Sequence, residues 1–189
     1  GQRAPDTIFF NVDPIDQRLP PLEDGISWPV LLDRYVPDGM TGSYLILRKR
    51  VHPLNKHDVK YLNVTEGRLN QKLDLPSIPN PLFAQISIAP TWLGRFSNFF
   101  IKSTELKITL YIGDGSEKQF VFLPKMAQIG FMISPLVENS ADFKRLYDVE
   151  SRGNELTSNY KVVAIKVSSS TIPNLWWEEN YSVSFGGYK

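Results

Sequence analysis

His52 and His57 stand five residues apart in a polar stretch, with Asp58 beside the second. A zinc site wants about four tetrahedral ligands, and no third ligand is evident here, so the stretch reads as a solvated loop. Ser134 precedes Pro135 and lacks the G-x-S-x-G turn that exposes a hydrolase nucleophile. Carboxylates come in two pairs, Asp13 with Asp16 and Glu178 with Glu179. Paired carboxylates can cleave a glycosidic bond, but both pairs sit among turn and loop residues. Gly113-Asp114-Gly115 lacks the strand-to-helix setting and following lysine of a phosphate loop. The chain has no cysteine, which excludes disulfides and thiolate chemistry. No base–nucleophile pair emerges. No catalytic residue, metal or cofactor is therefore assigned, and an independent carbohydrate-active hydrolase ranks last among the functional readings.

Binding chemistry is richer. Trp176-Trp177 is followed directly by Glu178-Glu179. Indole rings stack on sugar C–H faces and carboxylates accept hydroxyl protons, so these four residues are the candidate glycan contacts. The competing reading packs the tryptophans against the end of the fold. A second group lies in residues 91–102, TWLGRFSNFFIK. On a helix Trp92, Phe96, Phe99 and Phe100 fall on one face, flanked by Arg95 and Lys102. That face either closes the fold or sits at a membrane interface, where aromatics with basic flanks accumulate. Arg48-Lys49-Arg50 is a third feature, read either as a solvated strand end or as a contact for lipid headgroups or glycan phosphate. The net charge of +1 supplies no field to recruit nucleic acid.

The elements that must position these residues are short. Fourteen prolines and twelve glycines punctuate the 189 residues. Residues 7–12 read as a strand, and Leu19-Pro20-Pro21-Leu22 as an extended linker. A helix follows, with Ser27 as its cap, Pro29 in its first turn and Pro37-Asp38-Gly39 as its stop. Strands are expected over 43–48, 59–64 and 68–75, then a proline-rich linker to 81. Residues 82–89 alternate as a half-buried strand, and Thr91 is placed to cap the aromatic helix. Gly113-Asp114-Gly115-Ser116 joins strands 106–112 and 119–123 in a hairpin. A strand over 131–134, a helix capped by Ser140 over 140–147, a polar loop over 151–158 and strands over 160–168 and 181–185 complete the chain. The last strand is expected to close the sheet. About nine strands with two or three short helices predict a mainly β fold, an antiparallel two-sheet sandwich of jelly-roll type. The expectation is one domain over 1–189, with residues 1–75 packed as an N-terminal extension. No run approaches the roughly 18 apolar residues of a membrane span. Gly1-Gln2-Arg3, with no initiator methionine, reads as the start of an excised piece.

Several blocks together carry a family resemblance. Leu31-Leu32-Asp33-Arg34-Tyr35 is followed by Gly42-Ser43-Tyr44-Leu45-Ile46-Leu47-Arg48, then by Ile88-Ala89-Pro90-Thr91-Trp92-Leu93-Gly94-Arg95. After the hairpin come Gly130-Phe131-Met132-Ile133-Ser134-Pro135-Leu136-Val137 and Ala141-Asp142-Phe143. Their order resembles the C-terminal soluble region of bacterial polytopic membrane proteins related to lipid-linked-sugar glycosyltransferases of the mannosyltransferase type. The resemblance implies an extracytoplasmic domain, periplasmic or at the cell surface, tethered to the inner membrane. It implies as partners the protein's own transmembrane portion or the membrane surface, and a glycan, but no nucleic acid. It carries over no catalytic residue, because that family's catalytic carboxylate lies between membrane helices that this chain lacks. A non-catalytic accessory domain that recognises glycan or acceptor is the first expectation. A structural domain docking on the membrane part without a ligand is the second.

Overall fold

The computed structural model describes residues 4–55, 58–77, 81–97, 105–152, 158–169 and 175–188, with the side chains of 63, 95–97 and 149–152 left out. The elements run β1 (Thr7–Asn11), α1 (Pro20–Glu23), α2 (Ser27–Arg34), β2 (Tyr35–Thr41), β3 (Tyr44–Lys49), β4 (Val59–Arg68), β5 (Leu73–Asp74) and β6 (Leu82–Ser87). They continue as α3 (Trp92–Ser97), β7 (Leu106–Ile112), β8 (Glu117–Phe122), α4 (Pro124–Ala127), β9 (Phe131–Ser134), α5 (Ser140–Arg152), β10 (Val162–Ser169) and β11 (Asn180–Tyr188). The chain is mainly β, and every ladder between these strands is antiparallel. Among the described residues no helix is long and apolar enough to cross a membrane.

The mainly β, antiparallel sandwich that the sequence predicts is present, and the described residues add a third, smaller sheet to its two. A four-stranded sheet β5-β10-β7-β8 faces a central sheet β4-β11-β6-β9, and a small sheet β1-β3-β2 stands apart from both ladders. The first core lies between the two large sheets. Ile108, Leu110, Phe122, Ile165 and Val167 meet Ala84, Ile86, Phe131, Ile133 and Val183 there. A second core forms on the other face of the central sheet. Phe83 and Met132 meet Leu45 and Leu47 of the small sheet, Trp28 and Leu32 of α2, and Phe143 and Tyr147 of α5. The central sheet is therefore covered on its second side around Phe83 and Met132, while much of β4 remains exposed.

The half-buried reading of residues 82–89 holds over most of their length: Leu82, Ala84, Ile86 and Ile88 are buried, whereas Gln85 is half-buried and Ser87 and Ala89 are exposed. The departure is Phe83, which enters the second core while Leu82, Ala84 and Ile86 enter the first. Period-two alternation is lost only at the start of β6, where both sides are buried. β9 is buried at all four positions for the same reason. β11 does not close the sheet but lies inside it, paired with β4 on one side and β6 on the other.

Other corrections are local. Leu19-Pro20-Pro21-Leu22 is not an extended linker: α1 starts with Pro20 in its first turn, and Leu19 and Leu22 are buried. Ser27 does not cap α2; Ile26 occupies the cap position and the Ser27 hydroxyl donates to Asp24. Pro37-Asp38-Gly39 does not stop a helix either. The chain passes from α2 straight into β2, and these residues form an irregularity in its pairing with β3. Residues 59–75 divide as a ten-residue strand and a two-residue strand rather than as strands over 59–64 and 68–75. The loop expected from 151 begins later, because α5 runs to Arg152. Ser140 is not the cap of α5. Asn139 Oδ1 accepts from the Asp142 amide at 3.0 Å and Asp142 Oδ2 from the Glu138 amide at 3.1 Å, a near-reciprocal cap. The Ser140 hydroxyl instead accepts the Val12 amide at 3.0 Å, tying α5 to the chain after β1.

Phe143 is the aromatic hub of the second core, in edge contact with Phe10, Trp28 and Tyr147. Phe143→Ala should cost about 3–5 kcal/mol, read as a lower urea midpoint at unchanged slope; a loss below about 1 kcal/mol would show the hub to be dispensable. Burial also pushes the phenols of Tyr61 and Tyr181 above their ordinary value of 10.0. The unfolded chain releases those protons first as pH rises, so their contribution is complete below about pH 10 and falls above it. The expected result is an alkaline decline in urea midpoint that is shallower in the Tyr61→Phe/Tyr181→Phe variant. Identical declines would assign it to other groups.

Candidate functional site

The residues that could have done chemistry are structurally occupied or dispersed. Ser134 is buried and its hydroxyl accepts the Val162 amide at 3.2 Å. Asp13 is exposed, and Asp16 pairs with Arg18 at 3.2 Å. Asp114 serves its own turn. Hydrogen bonds from the Ser116 side chain and backbone hold its carboxyl below the usual range. His52 is exposed, whereas His57 lies outside the described residues. Among the described residues no cluster of three metal-ligating side chains occurs.

The two aromatic groups, more than eighty positions apart, come together. Chain leaving β6 runs beside chain entering β11. Pro90 and Trp177 form an antiparallel bridge, and the Glu178 amide donates to the Ala89 carbonyl at 2.9 Å. The Thr91 amide donates to the Trp176 carbonyl at 3.1 Å. The Thr91 hydroxyl has two roles. It donates to the Leu175 carbonyl at 2.7 Å and accepts the Gly94 amide at 3.1 Å. The second bond is the helix cap that the sequence predicts at Thr91. Gly94 completes the seat, because a Cβ there would collide with the Trp176 carbonyl oxygen. Helix start and tryptophan loop are thus one structural unit.

Within this unit Trp92 is 69% exposed, its chain neighbour Leu93 37%, and Leu175, the neighbour of Trp176, 36%. Trp176 and Trp177 are half-buried, and Trp177 packs against the first core. Glu178 is exposed. Glu179 is gripped by the Arg68 guanidinium across the β4–β11 ladder. The backbone of Arg95 and Phe96 belongs to α3, but their side chains are not described, and Phe99, Phe100 and Lys102 lie outside the described residues.

Leu93 and Leu175 join the edge without having been singled out in the sequence. Their signal was adjacency to Trp92 and Trp176, and it becomes visible only once the two segments pair. Comparison with protein-family models, with curated proteins and with solved structures returns no match.

Thr91→Val keeps the shape and removes both hydrogen bonds. It should destabilise the chain by about 1–2 kcal/mol and shift the tryptophan fluorescence, while Thr91→Ser should retain both properties. Equal stability of the valine variant would rule out the double role.

Proposed function

We propose that this chain is a non-catalytic, extracytoplasmic accessory domain of a bacterial membrane glycosyltransferase-like protein, and that it recognises glycan or acceptor at the aromatic edge. The observation that carries the reading is the exposed Trp92 indole, seated by backbone hydrogen bonds on the Trp176-Trp177 loop with Glu178 exposed beside it. A fixed aromatic face offers stacking area at small entropic cost, and an exposed carboxylate accepts hydroxyl protons. The membrane setting rests on the sequence resemblance. Any glycosyl transfer belongs to the membrane part of such a protein.

A second reading has its own observation. Leu93 and Leu175 add aliphatic surface beside the rings, which contributes little to sugar stacking and much to docking on an apolar or interfacial surface. Glycan-array screening followed by titration separates the two. Recognition of glycan predicts saturable binding that weakens about tenfold or more in Trp92→Ala and Trp176→Ala, with Leu93→Ser near wild type. Docking predicts no glycan binding, together with liposome association that Leu93→Ser and Trp92→Ala both reduce. Neither behaviour in the folded chain would refute a binding role for this edge.

A further inference from the structure

A second candidate site lies away from the aromatic edge, where α2 passes into β2 beside the end of β3. A cavity of about 280 Å³ is lined there by Ala4, Arg34, Tyr35, Lys49, Arg50 and Pro53. Half of its lining residues are cations. Strand pairing assembles them from two segments: Tyr35 is the register partner of Lys49, and the Arg50 amide donates to the Arg34 carbonyl at 2.7 Å.

Neutral groups orient the cations. Arg50 Nε donates to the Tyr35 carbonyl at 3.0 Å, and Lys49 Nζ to the Ala4 carbonyl at 3.3 Å. The Arg50 guanidinium also lies 6.0 Å from the centre of the Tyr147 ring. Tyr35 is itself fixed, its hydroxyl donating to the Pro5 carbonyl at 2.9 Å. Carbonyl bonds hold a cation in place without neutralising it. Among the described residues, the carboxylate that pairs with these cations is that of Asp33, 3.7 Å from Arg34 Nε. Three positive charges against one negative leave two. Among the described residues the buried Arg34 Nε finds no hydrogen-bond acceptor. The neighbouring Arg48 differs, being paired with Asp38 at 2.6 Å.

Partly desolvated cations without counter-charge are unfavourable until an anion arrives. Two uncompensated charges match the roughly −1.5 to −2 of a phosphate monoester, and arginine forks fit phosphoryl oxygens. The volume falls at the small end of ligand pockets, near 300 Å³, which suits a phosphoryl group with a modest substituent. We propose that this cavity binds the phosphoryl group of a phosphate ester or diphosphate through Arg34, Lys49 and Arg50. The group comes either from a soluble phosphate or from a lipid headgroup.

Calorimetric titration of pyrophosphate into the full chain, with ionic strength held constant by chloride, tests the site. Saturable binding is expected, weakened about tenfold or more in Lys49→Gln and Arg50→Gln and changed less than about twofold in Arg48→Gln. Arg50→Lys keeps the charge and loses the fork, so it should bind more weakly than wild type even where Arg50→Gln fails to fold. A parallel arm uses vesicles of phosphatidylglycerol with phosphatidylcholine against phosphatidylcholine alone. Binding to the anionic vesicles that Lys49→Gln abolishes and Trp92→Ala leaves intact assigns the headgroup source, and pyrophosphate binding without vesicle binding assigns the soluble one. Absence of both, or equal weakening by Arg48→Gln and Lys49→Gln, overturns the site.

Discussion

Burial of Phe83 and Met132 on the second face of the central sheet is the constraint from which the rest of the architecture follows. A sandwich of two sheets leaves each outer face to solvent and can carry polar residues there. Here Phe83 of β6 and Met132 of β9 are large apolar residues turned away from the first core, and they require a third layer. The first fifty residues supply it, as a small sheet and α2, and α5 completes it. The aromatic hub around Phe143 is the inner surface of that layer, where edge-to-face ring contacts fill the space between helix and sheet. The segment before residue 75 is accordingly distributed across the fold. It contributes strands to all three sheets.

Much of the strand content was readable because strands in this chain are bounded by emphatic turns. The hairpin at Gly113-Asp114-Gly115-Ser116 was found from its composition alone, and Gly115 does adopt a positive φ of 90°. The third sheet was not readable. Nothing in Thr7–Asn11 or Tyr44–Lys49 states which sheet these strands join, since pairing partners are chosen by tertiary packing and not by local pattern. Capping was partly readable. Thr91 behaves as expected, whereas Ser140 loses the cap to Asn139 because its hydroxyl is engaged by a distant amide. Both residue types are competent caps, and only the tertiary partner decides between them.

The site residues show the same division. Trp92, Trp176 and Trp177 stood out as residue types, but their proximity depended on β6 and β11 being neighbours, a non-local fact. Arg48-Lys49-Arg50 stood out as a charge run, yet the fold splits it where β3 ends at Lys49. Arg48 goes to Asp38, while Lys49 and Arg50 reach the cavity with Arg34. A one-dimensional run of charge carries no information about which of its members is already paired.

The frame of the aromatic edge is built almost wholly from main-chain atoms of residues 89–94 and 175–178. Only Thr91 and Gly94 contribute through what they are, one by its hydroxyl and the other by lacking a Cβ. Main-chain bonds are indifferent to the side chains they carry. The presented positions 92, 93 and 175 can therefore change identity while their spatial arrangement stays the same. Such an edge works as a fixed display, on which new specificities can be tried by surface substitution alone, without reopening the problem of how the chain folds.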